Sequence, residues 1–247
     1  MAHLYNQNSP QLYARIGGIA YLVIIVAGGY DEMFIRNTMI VAGDAAATAR
    51  NIAASPLLWR ISLAGDIVMH LCDLIVAGCY YLLLRPVNKN LALLSVLFGL
   101  IQTAVLVANK MNLVMPLLLL NDTAYLESFT TQQLDALGYL SIRAHNFGFA
   151  IGLVFFGVEC LIDGFLIRRS GYFPAVLGAM IQIAGLCYLV NSFALILSPA
   201  IASQLSPAIL VPPLLGELSF CLWLIFRGVN LKTWKQRQPV LHRTEAV

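Results

Sequence analysis

Asp66, His70 and Asp73 stand in the middle of an apolar stretch that runs from Pro56 to Leu84. At 3.6 residues per turn the three fall within about 60° of one another on a helix, with Ser62, Met69 and Tyr80 beside them. A histidine between two carboxylates can change charge near neutral pH, and each titration then depends on the others. That makes the stripe a candidate wall for handling protons or holding a ligand. The plainer reading is that these side chains bond across to Lys110 or Arg143 and hold helices together. In either case the stripe cannot face lipid, because ionisable groups at bilayer depth are costly and turn toward a bundle interior or a water-filled cavity.

The remaining chemistry is spread along other apolar stretches. Asn109 and Lys110 lie in one; Arg143, His145, Asn146, Glu159 and Asp163 lie in another; Glu217 is alone in a third. Lys110 can serve as a counter-ion for Asp66, as an anchor for a substrate carboxylate or as a Schiff-base amine. Glu217 reads as a proton carrier or as a hydrogen-bonded packing residue. His145, Glu159 and Asp163 share a helix face with Gly148, Gly152 and Phe156, a polar line that continues from mid-span toward one end. Two imidazoles on separate helices, His70 and His145, can ligate a haem iron, or zinc with added carboxylates. No haem-attachment motif and no HExxH-like spacing support either, so no cofactor is expected. Phosphate-cradling glycine loops and GxSxG elbows are absent as well.

Of the 247 residues, 60% are hydrophobic and 11% charged, and the mean hydropathy is +0.79. Soluble domains carry about 25% charged residues, so the chain is expected to be an all-α polytopic membrane protein. The net charge of +3 gives no basic field for nucleic acid. Five cysteines, all inside apolar segments and without CxxC spacing, argue against disulfides and structural zinc.

Six stretches have at least the roughly 20 residues that a hydrocarbon core requires. The expected spans are about 12–35, 57–84, 91–120, 137–167, 174–197 and 207–226, forming one transmembrane domain over 12–227 between a polar tail at 1–11 and a basic tail at 228–247. A signal peptide ending near Ala27-Gly28-Gly29 competes for the first span, but its positive region is a single residue, Arg15. Between the first two spans, Asp44 reads as the N-cap of a short alanine-rich helix lying over the bundle mouth, and Pro56 opens the next helix. The connection after 120 is acidic, with Asp122, Glu127 and Asp135.

Lys and Arg near the span ends set the expected orientation. Arg15, Arg85, Lys89, Arg168, Arg169, Arg227, Lys232, Lys235, Arg237 and Arg243 fall on one side, against Arg36, Arg50 and Arg60 on the other. The positive-inside rule then places both termini in the cytoplasm, with the chain in the plasma (inner) membrane. Counted from the outer helix ends, Asp66, Lys110, His145 and Glu217 all come out roughly 12 to 15 Å deep and His70 about 20 Å. A basic tail carrying Trp234 serves as a topology anchor or rests on anionic headgroups.

Four segments resemble one family when taken together: Val41-Ala42-Gly43-Asp44-Ala45-Ala46-Ala47-Thr48-Ala49, Leu84-Arg85-Pro86-Val87-Asn88-Lys89-Asn90-Leu91-Ala92-Leu93-Leu94, Ser170-Gly171-Tyr172-Phe173-Pro174 and Val211-Pro212-Pro213-Leu214-Leu215-Gly216-Glu217-Leu218. The chain is similar over about residues 11 to 230 to the bacterial and archaeal membrane family called domain of unknown function 4386. That resemblance implies a multi-pass membrane protein and carries over no activity.

The expected function is a midplane polar pocket, built on Asp66, His70, Asp73, Lys110, His145 and Glu217, that binds or translocates a small molecule or protons. Asn109, Arg143, Glu159 and Asp163 would form a secondary polar path. One alternative is an intramembrane enzyme using Glu217 or Asp66 as general acid or base on a lipid or isoprenoid-like substrate. Another is a structural or accessory subunit. The expected partners are the lipid bilayer and a small-molecule or lipid ligand, with no nucleic acid.

Overall fold

The structure is a computed structural model describing residues 9–120 and 124–237. Asp122, Arg243 and the rest of the tail beyond 237 lie outside the described residues. Its elements, in order, are α1 (Ser9–Tyr30), a π-helical turn Asp31–Arg36, α2 (Asn37–Met39), α3 (Ala45–Ala54), α4 (Pro56–Leu84), α5 (Lys89–Asn109), α6 (Met111–Leu119), α7 (Thr131–Ser170), α8 (Ala175–Leu197), α9 (Pro199–Leu205), α10 (Val211–Phe226) and α11 (Leu231–Arg237). Among the described residues there is no strand, and six helices are long and apolar enough to cross a membrane.

These six pack as a closed ring. In chain order α1 lies against α4, α4 against α5, α5 against α7, α7 against α8 and α8 against α10, and α10 returns to α1. Short turns force such antiparallel neighbours. The turn after α4 is fixed by Asn88, whose Oδ1 accepts from the Asn90 and Leu91 amides and caps α5. The Ser170-to-Pro174 turn is fixed by Ser170 Oγ, which accepts from the Phe173 amide, and by Tyr172, whose hydroxyl donates to the Leu83 carbonyl of α4 at 2.5 Å. Ring closure is tied at the same end by Gln11, which donates to the Arg227 carbonyl and accepts from the Val229 amide. Trp234 of α11 is buried there with Tyr172, Phe173 and Phe220, so its indole packs on protein rather than on headgroups.

The bounds of several elements differ from those read in the sequence. The first helix does not stop near 35 but runs on through the π turn to Met39. The third is interrupted at Lys110, where α5 ends and α6 begins. The fourth opens at Thr131, because Thr130 and Gln133 form a reciprocal capping box, a Thr-x-x-Gln signal present in the sequence. The stretch 199–205, read as a connection, is α9. Helix α3 is capped by Asp44, whose Oδ1 accepts from the Ala47 amide at 2.8 Å. It packs mainly against α7 and also touches α2, α4 and α6.

Without a hydrophobic drive between helices in lipid, close backbone approach at small residues holds neighbours together. The α7–α8 seam shows this directly. A Cβ built on Gly164 would stand 2.5 Å from the Gly178 carbonyl oxygen, and one built on Gly178 would stand 2.5 Å from that of Gly164. Gly157 and Gly185 repeat the arrangement two turns away. A side chain must therefore part the two backbones. Gly164→Ile is expected to lower stability by about 1 to 3 kcal/mol, the usual cost of overpacking, or more. An unchanged thermal melt in detergent would show that the helices do not approach this closely.

Candidate functional site

The ring does not fill its centre. A cavity of about 840 Å³ lies inside it, and all six long helices contribute to its wall. The sequence-derived candidates Asp66, His70, Asp73, Lys110, His145 and Glu217 all line it, as do Arg143, Glu159 and Asp163. Asn109 stands behind the wall and orients one of these groups. Its Nδ2 donates to the His145 carbonyl at 2.9 Å and lies 2.9 Å from the ring Nδ1, while its Oδ1 accepts from Asn112 Nδ2.

The groups that share the cavity do not form one cluster at one level. Toward the α3 end, Lys110 Nζ lies 2.9 Å from Asp66 Oδ2, and Arg36 bonds the same Asp66 oxygen. Arg36 also pairs with Asp31 at 2.5 Å. Two cations and two carboxylates from α4, the Lys110 join and the end of α1 thus form one neutral network, with Asp66 only 3% exposed. Glu217, expected beside Asp66 and Lys110, instead accepts from the Tyr188 hydroxyl at 2.5 Å. It belongs with Asp73 and Asp163 around Glu159, each of the three lying within electrostatic reach of that carboxyl group.

Asp31 and Arg36 are the site residues that the sequence reading missed. It took Asp31 as closing the first span and Arg36 as an outer flanking charge. In an α-helix, residues five apart point about 140° away from each other. A π turn closes its hydrogen bonds at i→i+5, so it stacks Asp31 over Arg36 and turns both inward. No single residue type announces such a turn. The acidic, aromatic and basic crowding of Tyr30-Asp31-Glu32 and Arg36 at a span end was the available hint.

Elsewhere the contacts are local. His70 Nδ1 stands 2.9 Å from Asp73 Oδ2. Nε2 of the same ring is buried without a partner, as is the Tyr80 hydroxyl. Ser95 Oγ donates to Asp163 Oδ1 at 2.5 Å. Glu159 makes neither a hydrogen bond nor an ion pair with a described residue; it lies over Gly99, where a Cβ would come within 2.6 Å of Oε1. Among the described residues no three His, Cys, Asp or Glu side chains stand close enough to hold one metal ion. The haem or zinc expectation therefore retains only the imidazoles of His70 and His145, and Nδ1 of each is already engaged.

The model of the family described as Domain of unknown function (DUF4386) matches residues 16–228. The chain belongs to that family. A relative from Archaeoglobus fulgidus, named as an uncharacterized protein, is 29% identical over 173 residues, which cover 69% of this chain and 85% of its own length. No solved structure matches the chain. The family match takes in all six long helices, from within α1 to just beyond α10, and so includes every cavity-lining residue named above.

The ion network makes a stability prediction. Lys110→Met alone leaves Asp31 and Asp66 facing one guanidinium, an uncompensated buried charge that costs about 3 to 5 kcal/mol. Adding Asp66→Asn restores a neutral Asp31–Arg36 pair, so the double variant should melt above the single one. A double-mutant cycle in which the two losses simply add would show that Asp66 and Lys110 do not interact.

Proposed function

We propose that the central cavity is a ligand site within the bilayer, binding or translocating a small molecule or protons. The observation that carries this reading is the cavity itself. Its volume lies in the range of small-molecule sites, and its wall brings ionisable side chains from several helices to one space. A bundle that used these residues only as packing would close around them, because voids forfeit contact energy on every lining atom. The alternative of a lipid-modifying enzyme is weakened at Asp66, whose Oδ2 is already engaged by two cations.

On this reading both termini lie in the cytoplasm and the chain resides in the plasma membrane. The inward turn of Arg36 supports that orientation, since it removes one of the three basic residues on the sparsely charged side. A reporter fused after Val247 should be reachable only from the cytoplasmic face. Reaction from outside would reverse the topology.

The ligand reading is tested by filling the cavity. Ala150 lies buried in its wall between the two charged groups. In nanodiscs, at least one of a panel of small cationic, anionic and neutral solutes should raise the melting temperature of the wild-type protein, a ligand at about 100 times its Kd adding about 2.7 kcal/mol. Ala150→Phe should abolish that shift while still melting cooperatively. If no solute stabilises the wild type, and proteoliposomes under a pH gradient pass protons no faster than empty vesicles, the cavity is not a ligand or proton site.

A further inference from the structure

The cavity is divided by charge along its length. Toward the α3 end it is lined by Arg36, Lys110 and Arg143 together with Asp31, Glu32 and Asp66, equal numbers of basic and acidic side chains. On α7, Glu159 follows His145 by 14 residues, about 21 Å along the axis at 1.5 Å per residue. Beyond Asp66, away from α3, the wall carries the carboxyl groups of Asp73, seven residues or about 10 Å along α4, and of Glu159, Asp163 and Glu217, and the basic side chain paired within this group is His70, on Asp73. The first group is internally neutralised. The second is not.

Several features show what this second half lacks. Among the described residues Glu159 makes no hydrogen bond or ion pair, and His70 Nε2, on a residue only 3% exposed, has no partner either. The carboxyl groups nevertheless do not converge into a set that could hold one metal ion among the described residues, so a small bare cation would leave most of them unanswered. Between them stand the rings of Tyr21, Tyr80, Phe156 and Tyr188, with Tyr21 and Tyr80 edge to face at 6.2 Å and Phe156 tilted on Tyr188 at 5.2 Å. Aromatic faces beside a carboxylate are how proteins hold a bulky, weakly hydrated cation. Finally, Leu74 of α4 and Leu100 of α5 line the cavity as apolar surface, and Leu100 follows Gly99, above which Glu159 lies, so the acidic half also offers apolar area to a ligand.

We propose that this acidic, tyrosine-lined half of the cavity binds a lipophilic organic monocation, an ammonium with apolar substituents, with Glu159 as its counter-ion. The proposal rests on the reading of the cavity as a ligand site and specifies the chemical class that it takes.

The probe is radiolabelled tetraphenylphosphonium, measured by equilibrium binding to the full-length protein in nanodiscs of zwitterionic lipid. Binding should be saturable and above that of empty nanodiscs. The similarly shaped anion tetraphenylborate, measured separately, should only partition. Glu159→Gln should weaken the cation by about tenfold or more, the worth of one charged contact. Gly99→Lys should abolish binding by placing a tethered ammonium beside Glu159, and it should do so without lowering the melting temperature, because the carboxylate it displaces is the far end of a flexible side chain. This second variant decides the matter if Glu159→Gln fails to fold. Three results would overturn the proposal. Tetraphenylphosphonium may bind equally to the wild type and both folded variants, placing the cation elsewhere. Anionic or neutral solutes alone may fill the cavity, in which case the ligand site stands and its cation selectivity falls. If no solute of any charge binds, both readings fall together.

Discussion

Asp66 answers two cations at once, and the closing of the bundle depends on that. Its carboxylate meets Arg36 from the end of α1 and Lys110 from the α5–α6 join, the two helices that flank α4, and Arg36 carries Asp31 with it. In hydrocarbon none of these four groups has an alternative partner. A bundle that rotated α4 outward would leave Lys110 and Asp66 without counter-ions and only the Asp31–Arg36 pair intact. The network thus specifies which face of three helices turns inward, although its net gain over a well-packed apolar core need not be large.

The rest of the ring divides its labour. The α7–α8 seam is held by paired glycines at backbone contact, and the end that carries the chain termini is filled by Tyr172, Phe173, Phe220, Leu224 and Trp234 around Leu83 and Leu84. These make a close-packed wall and floor. Between α4 and α5, near Gly99, the cavity wall carries leucines beside carboxyl groups. Tight packing at one seam lets another stay loose without loss of the fold, and loose, polar, partly unsatisfied regions are where binding sites are found.

The two charged groups also differ in how completely they are satisfied. Near α3 every carboxylate that lines the cavity deep in the ring has a basic partner within bonding distance. Further along, among the described residues, Asp163 accepts from the Ser95 hydroxyl and Glu217 from that of Tyr188, and no hydrogen bond or ion pair reaches Glu159. A neutral hydroxyl stabilises a carboxylate far less than an ion pair does. The first group therefore supports the architecture, and the second remains open to a ligand.

Composition and periodicity alone determined that this is an all-helical membrane protein with six long apolar helices, because a run of about 20 apolar residues has no stable place in water and no other regular structure in lipid. They also placed Asp66, His70 and Asp73 on one inward face, since 3.6 residues per turn leave no other choice, and they paired Asp66 with Lys110 through the short turn between α4 and α5. The Asp44 cap of α3 was legible because a cap is a local interaction. What the sequence did not contain in readable form was long-range or conformational. The inward turn of Asp31 and Arg36 depends on a π turn whose extra residue is favoured by the ion pairs it permits, and those exist only once α1 lies against α4. Counting depth from helix ends put Glu217 level with Asp66, yet α10 starts later than read, at Val211 after a 3₁₀ turn, and its Glu217 meets Tyr188 of α8 rather than the ion network. Rise per residue fixes spacing within a helix, but only the packing of the ring sets the offset between helices. That offset separated one expected polar level into a neutralised group and an acidic one.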